Sequence, residues 1–415
     1  MSEKQIVTAQ SFNNKPVWFN AINRAWQGSY LLGTKIDLSK DRLIKLARKE
    51  TGFQSFGEDF WEEPLDRLIA SVNEEARLHP IGRFITQKRL VALLSNRLRA
   101  EHWYKKHPEI LEQDLYPVTV ICGLQRTGTT KLHRLLSADP DNRVLLSWEA
   151  LSPAPLSNDP SETNKRKAAA RLSEKALQVM APGFFSIHPV EFEKPEEDIL
   201  LLDTTFLSTT AEATMNVPSY ANWLEQTDQS YAYQYAGKLL RLLQWQRPGK
   251  RWILKTPHHM EFLGLIKNNF GKVHYIWTHR DITESLPSFL SMVAHGRSIF
   301  SDDVSAQEVA RHWVKKTTYM LSKGVEFRKS NPGEKFTDVF YKDMVASPMN
   351  VIDGIYGNNG AITPELRQKF LDTESRNTIN RFGKHVYKLE DFNLTADEVN
   401  KRAQFYTNFV KTLQS

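Results

Sequence analysis

The chain has 415 residues, of which 40% are hydrophobic and 25% are charged, so it can form a large globular core. It contains no run of roughly 18 apolar residues and no apolar segment after a basic start, which predicts no membrane span and favours a cytoplasmic protein. The net charge of +7 fits an anionic ligand, whereas the dispersed basic residues do not favour a nucleic-acid partner.

The first part of the chain, residues 1–115, has helical patterns and little that is typical of a strand. Apolar residues recur three and four positions apart in PLDRLIASVNEEARL from Pro64, and KRLVALLSNRLRAEHWY follows from Lys88. We predict a helical N-terminal region over 1–115 and a second domain over 116–415.

The next segment, VTVICGLQRTGTTKLHRLL from Val118, has the pattern of a strand, a glycine-bracketed loop and a helix. Gly123 and Gly128 let the backbone bend so that its N–H groups converge on an anion, and the following helix adds its positive end. The lysine that an ATP-binding loop needs after the second glycine is replaced by Thr129. We therefore predict a loop that holds a terminal phosphate.

Further strands are predicted at RWILKTP from Arg251, KVHYIWTHR from Lys272 and DVFYKDM from Asp338. Long helical segments separate them, which indicates crossover connections and a parallel sheet. The expected fold is therefore a three-layer α/β/α arrangement with a parallel sheet, an N-terminal helical region and a large helical insertion over about 150–248. Thr395 and Glu398 form a capping box that predicts a C-terminal helix.

The loop resembles a known family. Its pattern Gly-x-x-Arg-[Ser/Thr]-Gly-Thr-Thr is similar to that of the nucleotide-dependent sulfotransferases, which hold 3′-phosphoadenosine 5′-phosphosulfate (PAPS) with it. The resemblance extends from about Val118 to Asp391, and TGFQSFGEDFWEEPLDRL in the N-terminal region is similar to bacterial members. It implies a P-loop-like fold and donor binding by Arg126, Thr127, Gly128, Thr129 and Thr130.

A second motif follows the third predicted strand. Arg280 and Ser288 are eight residues apart, so Arg280 can stand at the strand's end while Ser288 lies about two helical turns along. The resemblance implies that both bind the 3′-phosphate of the nucleotide. The alternative for Arg280 is a structural salt bridge to Asp281 or Glu284.

A third, basic segment lies near the C-terminus. It contains Arg381, Gly383 and Lys384 but lacks the Arg-Lys-Gly order of the cytosolic sulfotransferases. The resemblance implies that these residues close over the 3′-phosphate, and solvated loop charges are the alternative.

The segment LKTPHHMEFLGLI from Leu254 carries the expected catalytic groups. By resemblance, Lys255 lies near the bridging oxygen of the phosphosulfate. Pro257 occupies the position of the cytosolic family's histidine base, and the order Lys-Thr-Pro-x-His resembles a bacterial type. We therefore expect His259 to be the general base, with His258 second, because an imidazole titrates near neutral pH. In the alternative, both histidines only cap the next helix.

A carboxylate competes for the base role. The protein-tyrosine branch of the family places a catalytic glutamate where Glu149 stands, so Glu149 is expected to act as the base or to orient His259. The alternative is a loop glutamate that binds substrate or an arginine. Glu197 is a weaker candidate, read as a solvated or structural charge. The chemistry needs a base and cations but no metal, and no histidine and carboxylate set has ligand spacing.

The sequence therefore predicts a PAPS-dependent sulfotransferase that acts on a hydroxyl or phenol of a small molecule and releases 3′-phosphoadenosine 5′-phosphate (PAP). A homo-oligomer is compatible with the sequence. Two alternatives stay open at this point. One is a P-loop-type kinase, which lacks its loop lysine here, and the other is a non-catalytic nucleotide-binding module.

Overall fold

The computed structural model describes residues 6–159, 161–357, 362–377 and 383–414. Within these ranges the strands, numbered along the chain, are β1 (Ile6–Thr8), β2 (Val118–Cys122), β3 (Asn142–Val144), β4 (Arg251–Lys255), β5 (Val273–His279), β6 (Lys335–Phe340) and β7 (Lys384–Val386).

A five-stranded parallel sheet, in the order β3-β4-β2-β5-β6, forms the centre of the protein. In this register Val120 lies beside Leu254 of β4 and Tyr275 of β5. Strands that follow β2 in the chain lie on both sides of it, and ligands bind outside the carboxyl ends of parallel strands at such a reversal. A ligand site is therefore expected beside the residues that follow Cys122, Lys255 and His279.

Helices precede the sheet, as the periodicity predicts. They are α1 (Val17–Gly28), α2 (Lys40–Thr51), α3 (Glu62–Glu74), α4 (Pro80–Lys106) and α5 (Glu109–Glu112). Leu94 and Leu98 of α4 are buried in the same core cluster as Val120 of β2. The N-terminal helices therefore share a hydrophobic core with the sheet.

The segment between β2 and β4 is mostly helical. It contains α6 (Thr129–Leu136), α7 (Ser147–Leu151), α8 (Glu162–Met180), α9 (Pro182–Ile187), α10 (Ile199–Leu202), α11 (Thr210–Thr214), α12 (Pro218–Gln226) and α13 (Ser230–Gln246). Helix α13 begins one residue before Tyr231, and Tyr235, Leu239 and Leu242 on it are buried. The helical insertion is confirmed within the described ranges.

The remaining helices follow β4 in the chain. They are α14 (Leu263–Phe270), α15 (Ile282–Ser298), α16 (Ala306–Ser330), α17 (Tyr341–Ala346), α18 (Pro348–Tyr356), α19 (Pro364–Arg376), α20 (Ala396–Arg402) and α21 (Gln404–Gln414). The Thr395 and Glu398 capping box is present, but the predicted C-terminal helix is divided at Ala403. Strand β6 begins at Lys335, three residues before the predicted start. Within the described residues, no helix has the length and apolar character needed to cross a membrane.

Candidate functional site

The loop from Gly123 to Gly128 connects β2 to α6 and bends tightly against the end of β5. Both glycines have positive φ angles, 125° and 93°. A Cβ on Gly123 would lie 2.5 Å from Oγ1 of Thr278 and 2.6 Å from its carbonyl oxygen. Glycine is therefore required at this position by the backbone angle and by the close approach of β5.

The side chain of Thr127 stabilises this loop through hydrogen bonds in the protein interior. Its Oγ1 donates to the carbonyl oxygen of Leu124 at 2.6 Å and lies 2.6 Å from Oγ1 of Thr278. The Thr127 side chain is buried, so it stabilises the loop and does not line the neighbouring cavity.

Helix α6 begins directly after Gly128. Its first backbone N–H groups, at Thr129 and Thr130, have no acceptor one turn back along the helix, and the helix dipole adds positive potential there. The start of α6 therefore fits an anion.

The two predicted nucleotide motifs meet directly. Nε of Arg126 donates to Oγ of Ser288 at 3.0 Å, and Nη1 of Arg280 donates to the carbonyl oxygen of Arg126 at 3.0 Å. Burial lowers the pKa of Arg126, and the nearby Arg280 guanidinium lowers it further. The Arg280 guanidinium lies 4.1 Å from the centre of the Tyr341 ring and also pairs with Glu284. Arg280 thus forms the salt bridge to Glu284 that the sequence offered as an alternative, and it also borders the cavity described next.

Both motifs border one cavity of about 170 Å³ at the carboxyl edge of the sheet. Its lining includes Arg126, Thr129, Thr130, His188, Glu197 and Arg280. The cavity therefore combines a helix start, two guanidinium groups, a carboxylate and an imidazole.

Lys255, the last residue of β4, is tied to this cavity through Glu197. Its Nζ lies 2.6 Å from Oε1 of Glu197, and Oγ1 of Thr256 donates to the other carboxylate oxygen at 3.2 Å. The backbone N–H of Lys255 donates to Oδ1 of Asp198 at 2.8 Å. Two adjacent carboxylates of the insertion therefore fix the end of β4.

His259 is held away from the cavity. Its Nε2 lies 2.6 Å from Oδ2 of Asp198, its Nδ1 lies 2.9 Å from the hydroxyl of Tyr233, and the residue is 1% exposed. Burial would raise the pKa of Asp198, but His259 and the hydrogen bonds bring it below its usual value. Both nitrogens of His259 are thus occupied within the core.

His258 is equally buried. Burial lowers its pKa well below the usual value, and His259 and Lys316 lower it further. Its Nδ1 lies 3.3 Å from Oγ1 of Thr209 and its ring packs on Phe262. Neither histidine lines the cavity.

Comparison with known proteins decides the family. Residues 117–363, more than half of the chain, match the model of the sulfotransferase family. The chain belongs to the sulfotransferase family. Its structure is similar to that of the sulfotransferase STF1 from Mycobacterium tuberculosis H37Rv, with 28% identity and a TM-score of 0.77 over 89% of this chain and 99% of that one.

The sulfotransferase STF9 from Mycobacterium avium is similar as well, with 25% identity and a TM-score of 0.80 over 90% of this chain and 97% of that one. No curated protein matches. These matches confirm the predicted family and the P-loop-like α/β fold, and they favour a sulfotransferase over the kinase alternative.

In this sulfotransferase, Glu149 lies outside the cavity. Arg143 donates to both of its oxygens at 2.9 Å, and Arg247 donates to both at 3.1 and 3.0 Å. Burial raises the pKa of Glu149, but the two arginines outweigh it and the net shift is downward. Of the predicted alternatives, arginine binding is the one that the Glu149 contacts match.

The C-terminal basic segment is described only from Gly383 onward, so Arg381 lies outside the described residues. Gly383 has a φ of 143°, and Lys384 is exposed at the start of β7, which pairs with β1. Nε2 of the next residue, His385, lies 2.8 Å from Oγ of Ser291, one turn beyond Ser288 on α15. The segment therefore runs beside the helix that carries Ser288.

Sequence reasoning ranked Glu197 low and did not select His188, yet both line the sulfotransferase cavity. Burial lowers the pKa of His188 to about 4, so the imidazole is neutral at neutral pH. The acidic run of Glu197 offered a faint signal, whereas the single His188 has no motif spacing. Among the described residues no group of three or more histidine, cysteine or carboxylate side chains could hold a metal.

Proposed function

We propose that this sulfotransferase transfers the sulfuryl group of PAPS to a hydroxyl group of a small-molecule acceptor. The observation that carries the proposal is the direct contact of Arg126 with Ser288 and Arg280 at a cavity where α6 begins. A donor with phosphates at both ends of one adenosine needs two cationic points within a short distance, and this arrangement supplies them.

Space for the adenosine is available next to the phosphates. A second cavity, of about 430 Å³, shares Arg280 and Tyr341 with the first. In the proposal, the loop and the start of α6 hold the phosphosulfate, and Arg280 holds the 3′-phosphate. Ser288 is fully buried and does not line the cavity, so it acts by positioning Arg126. Thr127 acts by keeping the loop in shape.

Lys255 has the position and chemistry to stabilise the leaving group. Negative charge accumulates on the phosphate oxygen as the sulfur–oxygen bond breaks, and a compact ammonium can follow that charge. In the described structure its Nζ contacts Glu197, which itself borders the cavity. The ammonium is therefore connected to the cavity through the Glu197 carboxylate.

We propose Glu197 as the general base that accepts the acceptor's hydroxyl proton, with His188 second. Glu197 faces the cavity and its side chain is 22% exposed, whereas His259 and His258 lie in the core. The sequence predicts His259 as the base, but its contacts favour a positioning role. His259 contacts one oxygen of Asp198, and the other oxygen of Asp198 accepts from the backbone N–H of Lys255, so His259 helps to position Lys255.

The experiment that tests the donor is a calorimetric titration with PAP in the presence of a chelator, compared with ATP and magnesium. We expect metal-independent PAP binding and weak ATP binding. A radiolabelled-donor assay over phenols, steroids, carbohydrates and lipid alcohols then tests transfer. Absence of PAP binding would overturn the proposed donor and would leave the family assignment unchanged.

A further inference from the structure

Helix α1 has two apolar sides, of which only one faces the protein. Phe19 and Asn23 are its buried residues. On the other side, Val17, Trp18 and Ile22 are 85%, 41% and 47% exposed. Ala21 and Ala25 complete this side at helical spacing and are exposed too. The helix therefore presents an unpartnered apolar face.

This face continues onto its neighbours. Leu31 and Leu32, in the turn after α1, are 98% and 83% exposed, and Phe84 of α4 is 40% exposed. Trp26 connects these parts, because its ring lies 6.1 Å from that of Phe84 and its Nε1 donates to the carbonyl oxygen of Thr34. The N-terminal apolar patch is defined here as Val17, Trp18, Ile22, Leu31, Leu32 and Phe84. Such a patch on a water-exposed surface needs a partner.

The surroundings of the patch are basic. The 31 residues from 6 to 36 contain no Asp or Glu but include Lys15, Arg24 and Lys35. Arg24 and Lys35 are exposed. Neither side chain has a hydrogen bond or ion pair within the part of the chain that the structure describes. Lys88 lies 5.6 Å from the Phe84 ring centre.

Carboxylates close to the patch in the sequence or across α1 are already engaged. Asp37 accepts from the backbone N–H and the hydroxyl of Ser39, and Asp302 pairs with Lys15. Asp37 keeps its negative charge in these hydrogen bonds, but Arg24, Lys35 and Lys88 outnumber it, so the net charge at the rim of the patch is positive.

We propose that the N-terminal apolar patch docks the enzyme onto an anionic lipid surface. An interfacial helix of this kind inserts aliphatic and aromatic side chains at headgroup depth while its basic residues contact anionic lipids. A second copy of the chain fits less well, since a two-fold interface through this patch would bring the same positive charges face to face. The helix lies on the lipid surface and does not cross it.

The docking surface and the reaction site are separate. None of the six patch residues lines the cavity of the reaction site. The segment before α1 contacts the rest of the protein, because β1 pairs with β7 and Oγ of Ser11 lies 3.3 Å from Nε2 of His295. These contacts hold α1 in place and do not involve the patch residues. Variants of the patch are therefore expected to leave the fold and the transfer reaction intact.

The test is sedimentation of the full chain with vesicles of phosphatidylcholine, with and without one third phosphatidylglycerol. We expect binding to the anionic vesicles only. The double variant Ile22→Glu with Leu31→Glu lowers the partition coefficient by about tenfold or more, because two apolar side chains can no longer insert. Arg24→Gln and Lys35→Gln each lower it by about fivefold, and added salt has the same effect.

The matched control is Leu172→Glu, which replaces an apolar side chain that is 70% exposed on α8, away from the patch. It should bind vesicles like the unaltered chain, and thermal unfolding should show that all variants are folded. Equal binding by the double variant and the control, or no binding to anionic vesicles, would overturn the proposal. So would a dimer in light scattering that Ile22→Glu converts to a monomer, because the patch would then cover a second copy.

Discussion

Nε of Arg126 donates to Oγ of Ser288 at 3.0 Å, and this bond joins the loop after β2 to α15 across 162 residues of the chain. Ser288 is fully buried, so the bond lies in the interior and not in solvent. Groups that the sequence assigns to the two ends of one nucleotide are therefore in direct contact. We therefore expect a substitution in the loop after β2 to affect nucleotide binding by the α15 motif, and the reverse.

Arg280 gives the first prediction. Arg280→Gln removes a positively charged guanidinium group from the cavity, together with its hydrogen bond to the carbonyl oxygen of Arg126. We expect PAP affinity to fall by about 10- to 100-fold, since hydrogen bonds to charged groups contribute roughly 1.5–3 kcal/mol. Calorimetric titration with PAP measures the change.

Arg67→Gln is a closely matched control for Arg280→Gln. Arg67 also pairs with a glutamate four residues away in the sequence, Glu63, and its guanidinium lies 5.9 Å from the centre of the Trp223 ring. It does not border the cavity. If both variants lost affinity equally, the role given to Arg280 in phosphate binding would be wrong.

Gly123 gives the second prediction. Gly123→Ala introduces a methyl group 2.5 Å from Oγ1 of Thr278 at a φ of 125°, so either the loop or β5 must move. Gly52→Ala, at a φ of 75° and a ψ of −5° with no atom within 4 Å, is the control and costs about 1–2 kcal/mol from the backbone angle alone. We expect Gly123→Ala to lose more stability in urea unfolding and also to lose PAP binding. Equal losses of stability would show that the contact with Thr278 is relieved at no cost.

Glu197 gives the third prediction. Glu197→Gln keeps the size of the side chain but removes its ability to take a proton, so kcat should fall by about 10²- to 10⁴-fold while PAP still binds. The measurement is steady-state transfer from labelled donor to whichever acceptor the screen identifies.

Glu149→Gln separates a base from a structural carboxylate. It leaves Arg143, which is buried, without its charged partner. We expect a loss of roughly 3–5 kcal/mol in unfolding free energy with kcat per folded molecule nearly unchanged. The opposite pattern, a stable Glu149→Gln enzyme with lost turnover and an active Glu197→Gln enzyme, would transfer the base role to Glu149.

The sequence was sufficient to predict four of the five strands of the sheet and the loop because they depend on local patterns, whereas the three-residue strand β3 was missed. Strand β4 is a run of apolar residues, Trp252, Ile253 and Leu254, that is buried throughout, and the glycines of the loop have a fixed spacing. The pairing of β1 with β7 could not be predicted, since residues 378 positions apart in the chain meet in two strands of three residues.

The sequence offered Glu197 as a weak candidate, but it could not show where the carboxylates of the insertion lie. Glu197 and Asp198 belong to the insertion, and only its folding back onto β4 places them against Lys255. The same folding buries His259, which by its motif had been expected to face the acceptor. Local patterns identified the residue types, while tertiary packing decided which of them face the cavity.

The pH dependence of stability gives the last prediction. Burial lowers the pKa of several histidines, to about 3 for His133 and His385 and to about 4 for His274. Below pH 6.5 the unfolded chain takes up protons at these positions and the folded chain does not, so acidification favours unfolding. Each of them should remove about 2 kcal/mol from the unfolding free energy over roughly two pH units below neutrality.

His133→Asn tests this directly, because both ring nitrogens of His133 are buried without a hydrogen-bond partner in the described structure. The free energy of unfolding is measured in urea near neutral pH and about two pH units lower. The loss of this free energy on acidification should be about 2 kcal/mol smaller in the variant than in the unaltered chain. Glu261→Gln is a control of opposite sign. Burial raises the pKa of Glu261 to about 7, so the folded state gains a proton first on acidification and is stabilised by it. Glu261→Gln should therefore enlarge the loss of unfolding free energy on acidification by a similar amount. If this loss were the same in both variants as in the unaltered chain, these buried groups would not control the acid response.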